Sequence, residues 1–179
     1  MNNSHTNNQR ANALAERITL GANILAAFAE SLSDNDWNKP VIGDGRTIAV
    51  VVHHVASVYP LEIELAQLLT SGTPITGATI EVINQMNADH AKDHADANKK
   101  ETIQLLRNNS KVAAEAVRAF TDEDLDNSAT VSLNYDAPLT AQFFIEDHAL
   151  RHSFHHLAKI EATINQQMQY PQEAGQSAA

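Results

Sequence analysis

The sequence predicts an all-α protein, a four-helix bundle with one broken or additional short helix. Three observations point there. Apolar residues recur at three- and four-residue steps in every long segment, a Thr or Asn stands where most of the later runs begin, and only one short stretch reads as extended. The 179 residues suit one domain spanning 1–179. A chain of this length buries roughly 70% of its unfolded surface, enough for a core without staples. The polar start, 1–8, and the Gln- and Ala-rich end, 167–179, are expected as flexible ends.

The first helix is expected from Gln9 to about Leu32, where Leu14, Ile18, Leu25, Phe28 and Leu32 keep the helical period. Ser33 to Arg46, with its Pro and Gly residues, reads as a loop. Thr47 can cap a second helix running to about Leu69, and Pro60 within it predicts a kink, because proline removes a donor and crowds the preceding turn. Thr79 opens a third segment towards His94. Asn98 with Glu101 forms a capping pair for a helix to Phe120, nearly continuous with its predecessor. Thr121 to Pro138 is the least helical stretch, with Thr130 to Leu133 extended. Thr140 caps the last helix, which reaches about Gln166, with Phe143, Leu150, Phe154, Leu157 and Ile164 on its core side.

Composition limits the chemistry. There is no cysteine, so thiolate sites and Cys nucleophiles are excluded and any metal sits on nitrogen and oxygen. A formal charge of -10 without a basic run predicts no nucleic-acid partner. The polar N-terminus is unlike a signal peptide, and no apolar run approaches the roughly 20 residues of a membrane span. No membrane partner and a cytoplasmic location are therefore expected. Neither a Gly-x-Ser-x-Gly elbow nor a phosphate-binding glycine loop occurs.

The most informative feature is the group His148, His152, His155 and His156 on the last helix, within an arc of roughly 100° and away from its core side. Imidazoles at i, i+4 can converge on one ion. A third ligand must come from another helix. His54 is the best candidate, since it shares the inward arc of Val50, Val51, Val58, Leu61 and Leu65, while His53 lies about 100° away. Three imidazoles with an open position suit one divalent transition ion, zinc or nickel first. Glu62, two turns beyond His54, is the acid/base candidate. Asp147 reads as a solvated charge, and so does the pair His90 and His94 among Asp89, Lys92 and Asp93, although a pocket wall or a second metal site is the sharper alternative for that pair.

Thr47 to Ala56, with His53-His54, followed downstream by His152-Ser153-Phe154-His155-His156, resembles the DinB-like superfamily of metal-binding four-helix bundles. The resemblance implies His54, His152 and His156 as the metal ligands, with His155 beside them. Family members often carry a Trp immediately before the helix-starting Thr, whereas here Trp37 lies further back. Lys159 stands where some members have a polar or histidine residue. His53, His148, His155, Lys159 and His90 are expected to line the substrate pocket or to support the ligands. Activity implied by the resemblance is a metal-dependent transferase with a low-molecular-weight thiol cosubstrate; the metal chemistry itself serves hydrolysis of a small molecule equally. The alternative is a non-enzymatic metal- or ligand-binding stress-response bundle. A homodimer is expected if Leu20, Leu25, Val112 and Val117 exceed what one small core covers.

Overall fold

The computed structural model describes residues 8–169. The expected flexible ends fall outside these residues, apart from Asn8, which precedes the first helix, and the last helical turn. The order is α1 (Gln9–Ser31), α2 (Asp34–Trp37), α3 (Ile48–Thr70), α4 (Ile80–Asp93), α5 (Lys99–Arg118), α6 (Asp122–Asp126), β1 (Ser128–Val131), β2 (Ala137–Thr140), α7 (Ala141–Ile145), a π-helical turn (Glu146–Leu150) and α8 (Arg151–Gln169). α1 packs on α5 and α8, and α3 packs on α5, α7 and α8. Around the bundle the corners therefore run α1, α5, α3, α8. The first two long helices face each other across the diagonal. Ile18, Leu25, Tyr59, Leu106, Ile145 and Ile160 are fully buried between them.

The caps follow the sequence. Thr47, Thr79, Asn98 and Thr140 each accept a hydrogen bond from the third backbone N–H of the helix they open, satisfying a donor that has no partner within the helix. Asn98 caps in one direction only, and five residues separate Asp93 from Lys99, so α4 and α5 are distinct helices rather than nearly continuous ones. The Ser33 to Arg46 segment contains α2, closed by a reciprocal Ser33–Asp36 capping box. At four residues it is too short to show a period.

One expectation is corrected in α3, and Pro60 does not end the helix. The helix passes through Pro60 without interruption. The carbonyl that proline leaves without a donor, that of Ala56, accepts a hydrogen bond from Asn109 Nδ2 of α5 at 2.8 Å. At 23 residues α3 is also long and apolar enough to span a bilayer by length and composition, contrary to the sequence reading. In this fold it is the central core helix, with most of its apolar stretch buried.

The Thr121 to Pro138 stretch holds α6 and a hairpin in which Ser128 to Val131 pair antiparallel with Thr140 to Ala137. Ile75 joins its edge through Ile75 N–H to the Thr130 carbonyl at 2.9 Å. α4 stands apart from the core: none of its residues is buried.

Candidate metal centre and adjoining cavity

The middle of α3 turns His54 inward, and α8 presents His152 and His156 one turn apart. One ring nitrogen from each of the three lies within 4.8 Å of the other two. Their rings meet nearly edge to face: His54 to His152 at 5.0 Å and 69°, His54 to His156 at 5.7 Å and 83°. The buried hydrogen bond between Tyr59 Oη and Ser153 Oγ, 2.7 Å, fixes α3 against α8 beside them.

Each imidazole is prepared differently. His152 Nδ1–H donates to Glu62 Oε1 at 2.7 Å, which leaves Nε2 as its free lone pair. Glu62 is itself buried, and its second oxygen has no hydrogen-bond partner among the described residues. His156 Nδ1 is likewise buried without a partner. Burial, ahead of neighbouring imidazoles, pushes His54 down to about 3 and His156 down to about 2. Both are neutral at physiological pH. Three converging imidazoles, one held by a carboxylate on its outer nitrogen and one with an orphaned nitrogen, fit a divalent transition ion.

The cluster opens onto a cavity of about 380 Å³. Val58, Leu61, Leu65, Ile83, Met86 and Phe144 supply apolar walls, while Arg46, Arg151 and Lys159 supply cations. Arg46 is gripped by Asp44 through two bonds of 2.6 and 2.9 Å, and its third nitrogen, Nη1, is buried without a partner among the described residues. This pair comes from the loop before α3, which closes through Val41 N–H to the Arg46 carbonyl and docks on α8 through Ile42 N–H to Thr163 Oγ1. Sequence reasoning passed over Arg46 and Asp44. Their only signal was Gly43-Asp44-Gly45-Arg46, which reads as a turn.

The remaining histidines divide. His148 and His155 line the cavity with Lys159 but do not join the three-nitrogen group. His148 stacks instead on Phe144 at 4.3 Å. The reason is the π turn at Glu146–Leu150, whose extra residue rotates all that precedes it by about 100° relative to α8. The same rotation buries Phe144 and leaves Phe143 48% exposed, correcting its expected place in the core. His53 and His90 lie off the cavity lining. With His94 they form a second group of three nitrogens within 4.8 Å, each residue half-buried. The solvated helix end expected of His90 and His94 is not what the fold makes of them, because α4 lays its last turn against His53.

Residues 17–160 match the sequence profile of the DinB superfamily. No curated protein matches the sequence. Among solved structures, YfiT from Bacillus subtilis, described as a probable metal-dependent hydrolase with an unusual four-helix bundle topology, superposes with a TM-score of 0.72. The superposition covers 94% of this chain and 93% of that one at 17% identity, a likeness of fold. With the four-helix architecture and a profile match over most of its length, the chain belongs to the DinB superfamily.

Proposed function

We propose that the protein is a metal-dependent hydrolase of a small molecule, holding one divalent transition ion, zinc or nickel, through His54, His152 and His156. The observation that supports this most directly is the meeting of three imidazoles at the wall of a cavity, with Glu62 on the outer nitrogen of His152. When bound, such an ion acidifies a water or a thiol and polarises a carbonyl. Glu62 holds the His152 proton on Nδ1 and so keeps Nε2 available as a ligand. Glu62 lines the cavity and its second oxygen has no partner among the described residues, and this makes Glu62 the acid/base candidate as well. Arg46, Arg151 and Lys159 face the cavity beside apolar walls, an arrangement suited to a small amphipathic substrate bearing an anionic group. The description of YfiT as a probable metal-dependent hydrolase agrees with this reading.

Thiol transfer uses the same residues. The chain has no cysteine, so the sulfur would arrive as a low-molecular-weight cosubstrate. The test is made on untagged protein, stripped by chelator and reloaded with zinc, nickel or cobalt, against a panel of small carboxylate-bearing esters and amides. Metal-dependent turnover that His156→Ala abolishes is expected. If thiols perturb the visible spectrum of the cobalt form and no ester is turned over, transfer replaces hydrolysis. If no metal is taken up, the reading is wrong; uptake without turnover in any assay leaves a binding protein.

A further inference from the structure

We propose a second metal site, formed by His53 of α3, His90 of α4 and His94 at the C-terminal cap of α4, which takes a divalent first-row ion and clamps α4 onto the bundle. One nitrogen from each ring lies within 4.8 Å of the others. His53 stacks on His94 at 3.9 Å, and His90 lies 5.1 Å from His53 and 4.7 Å from His94 between ring centres. Nitrogen ligands of a tetrahedral ion stand about 3.3 Å apart for bonds of roughly 2.0–2.1 Å, so small ring rotations complete the set.

The hydrogen bonding of the group leaves one buried ring nitrogen without a partner among the described residues. His53 Nδ1 and His90 Nε2 are 2.9 Å apart and share one proton between them. Ser57 Oγ lies 3.2 Å from the same His90 nitrogen but gives its own hydrogen to the His54 carbonyl. Ser57 can then only accept from His90. That places the proton on His90 Nε2 and leaves Nδ1 bare, and Nδ1 is buried with no partner among the described residues. A divalent ion in place of the shared proton would draw a lone pair from one nitrogen of each ring.

The placement gives the ion a structural consequence. α4 buries none of its residues, while Ile83, Met86 and Asn87 along it form a wall of the main cavity. Its N-terminal end is held where Ala78 N–H donates to Ser132 Oγ, and beyond its C-terminal end Trp37 Nε1–H donates to the Ala97 carbonyl. Between these ties the histidine group joins α4 to α3. An ion there orders the wall of the cavity from outside, since neither His53, His90 nor His94 lines it. The two donor sets are neighbours: His53 and His54 are consecutive, and His54 meets His90 edge-on at 5.5 Å.

The test is zinc titration of the stripped, untagged, full-length protein by calorimetry, with elemental analysis after desalting. Two ions per chain are expected, falling to one in His94→Ala and to one in His156→Ala. Hydrogen exchange in the His156→Ala protein should slow across residues 80–93 when zinc is added, and His53→Ala should erase that slowing. Circular dichroism confirms that each variant is folded. If His94→Ala and His53→Ala leave the stoichiometry of wild type unchanged, the second site is refuted, and zinc uptake without slowed exchange refutes the clamp. A loss of one ion in His94→Ala with none in His156→Ala would uphold this site and refute the one at His54.

Discussion

The 2.7 Å bond from His152 to Glu62 concentrates much of the site's chemistry in one pair. A carboxylate on the outer nitrogen fixes the tautomer and raises the basicity of the inner one. Glu62→Gln keeps the volume and one acceptor but removes the charge. Its zinc affinity should fall about 10- to 100-fold while helix content is unchanged, as competition titration against a chromophoric chelator would show. Unchanged affinity would mean that Glu62 does not orient the ligand. At this scale the sequence was informative where periodicity reports a face. His54 differs from His53 by one step of the wheel, and the fold separates them into different groups. Glu62 could be placed on the right face but not paired with His152, because pairing depends on how two helices meet. Arg46 was invisible for the same reason, and its role is fixed by a loop that docks on Thr163, 121 residues beyond Ile42.

Two helices show what local pattern leaves out. Pro60 lies inside an unbroken α3, where Asn109 of a different helix supplies the hydrogen bond that proline cannot. Asn109→Ala should therefore cost about 1–3 kcal/mol in urea unfolding, the penalty of a buried carbonyl left unpaired. In a Pro60→Ala background the cost should shrink, because residue 60 then donates to Ala56 itself. Equal costs in both backgrounds would remove the explanation. The π turn before α8 is the other case. No Gly or Pro marks Glu146–Leu150, so a continuous wheel was the natural reading, and it placed Phe143 inward and His148 with the ligands. Packing of His148 on Phe144 and the burial of Ile145 follow the rotated register instead. Long elements with caps were legible from residue spacing; α2, α6 and the hairpin were too short to show one.

Assembly and acid stability are properties of the whole molecule. Leu25 and Val117 lie in the core, whereas Leu20, Ile24 and Val112 stand 52%, 40% and 63% exposed on the adjacent helices α1 and α5. The expected homodimer then rests on those three. Sedimentation should show a dimer at micromolar concentration that Leu20→Glu with Val112→Glu converts to monomer; a monomeric wild type would exclude it. Acid should destabilise the metal-free protein through His54 and His156. Their folded values, about 3 and about 2, lie below the ordinary 6.5, so between those limits the unfolded chain binds more protons than the folded one. Their stabilising contribution is full above 6.5 and declines as pH falls below it. With a slope that rises towards about 1.4 kcal/mol per pH unit for each group, the two lose roughly 3 kcal/mol between pH 6.5 and 5. Net charge opposes this, since a chain of formal charge -10 and pI near 5.2 loses self-repulsion over the same interval. That repulsion is spread over a solvated surface and screened by salt, whereas the two imidazoles are buried, so the histidine effect should dominate. Urea unfolding at pH 7 and pH 5 separates the two, because His54→Gln with His156→Gln removes the two most deeply shifted titrations and leaves the surface charge. The double variant should lose less stability towards pH 5 than wild type, the remainder belonging to His53, His90, His148 and His155, which burial also holds below the ordinary value. If it falls as steeply as wild type, the acid sensitivity lies elsewhere in the fold.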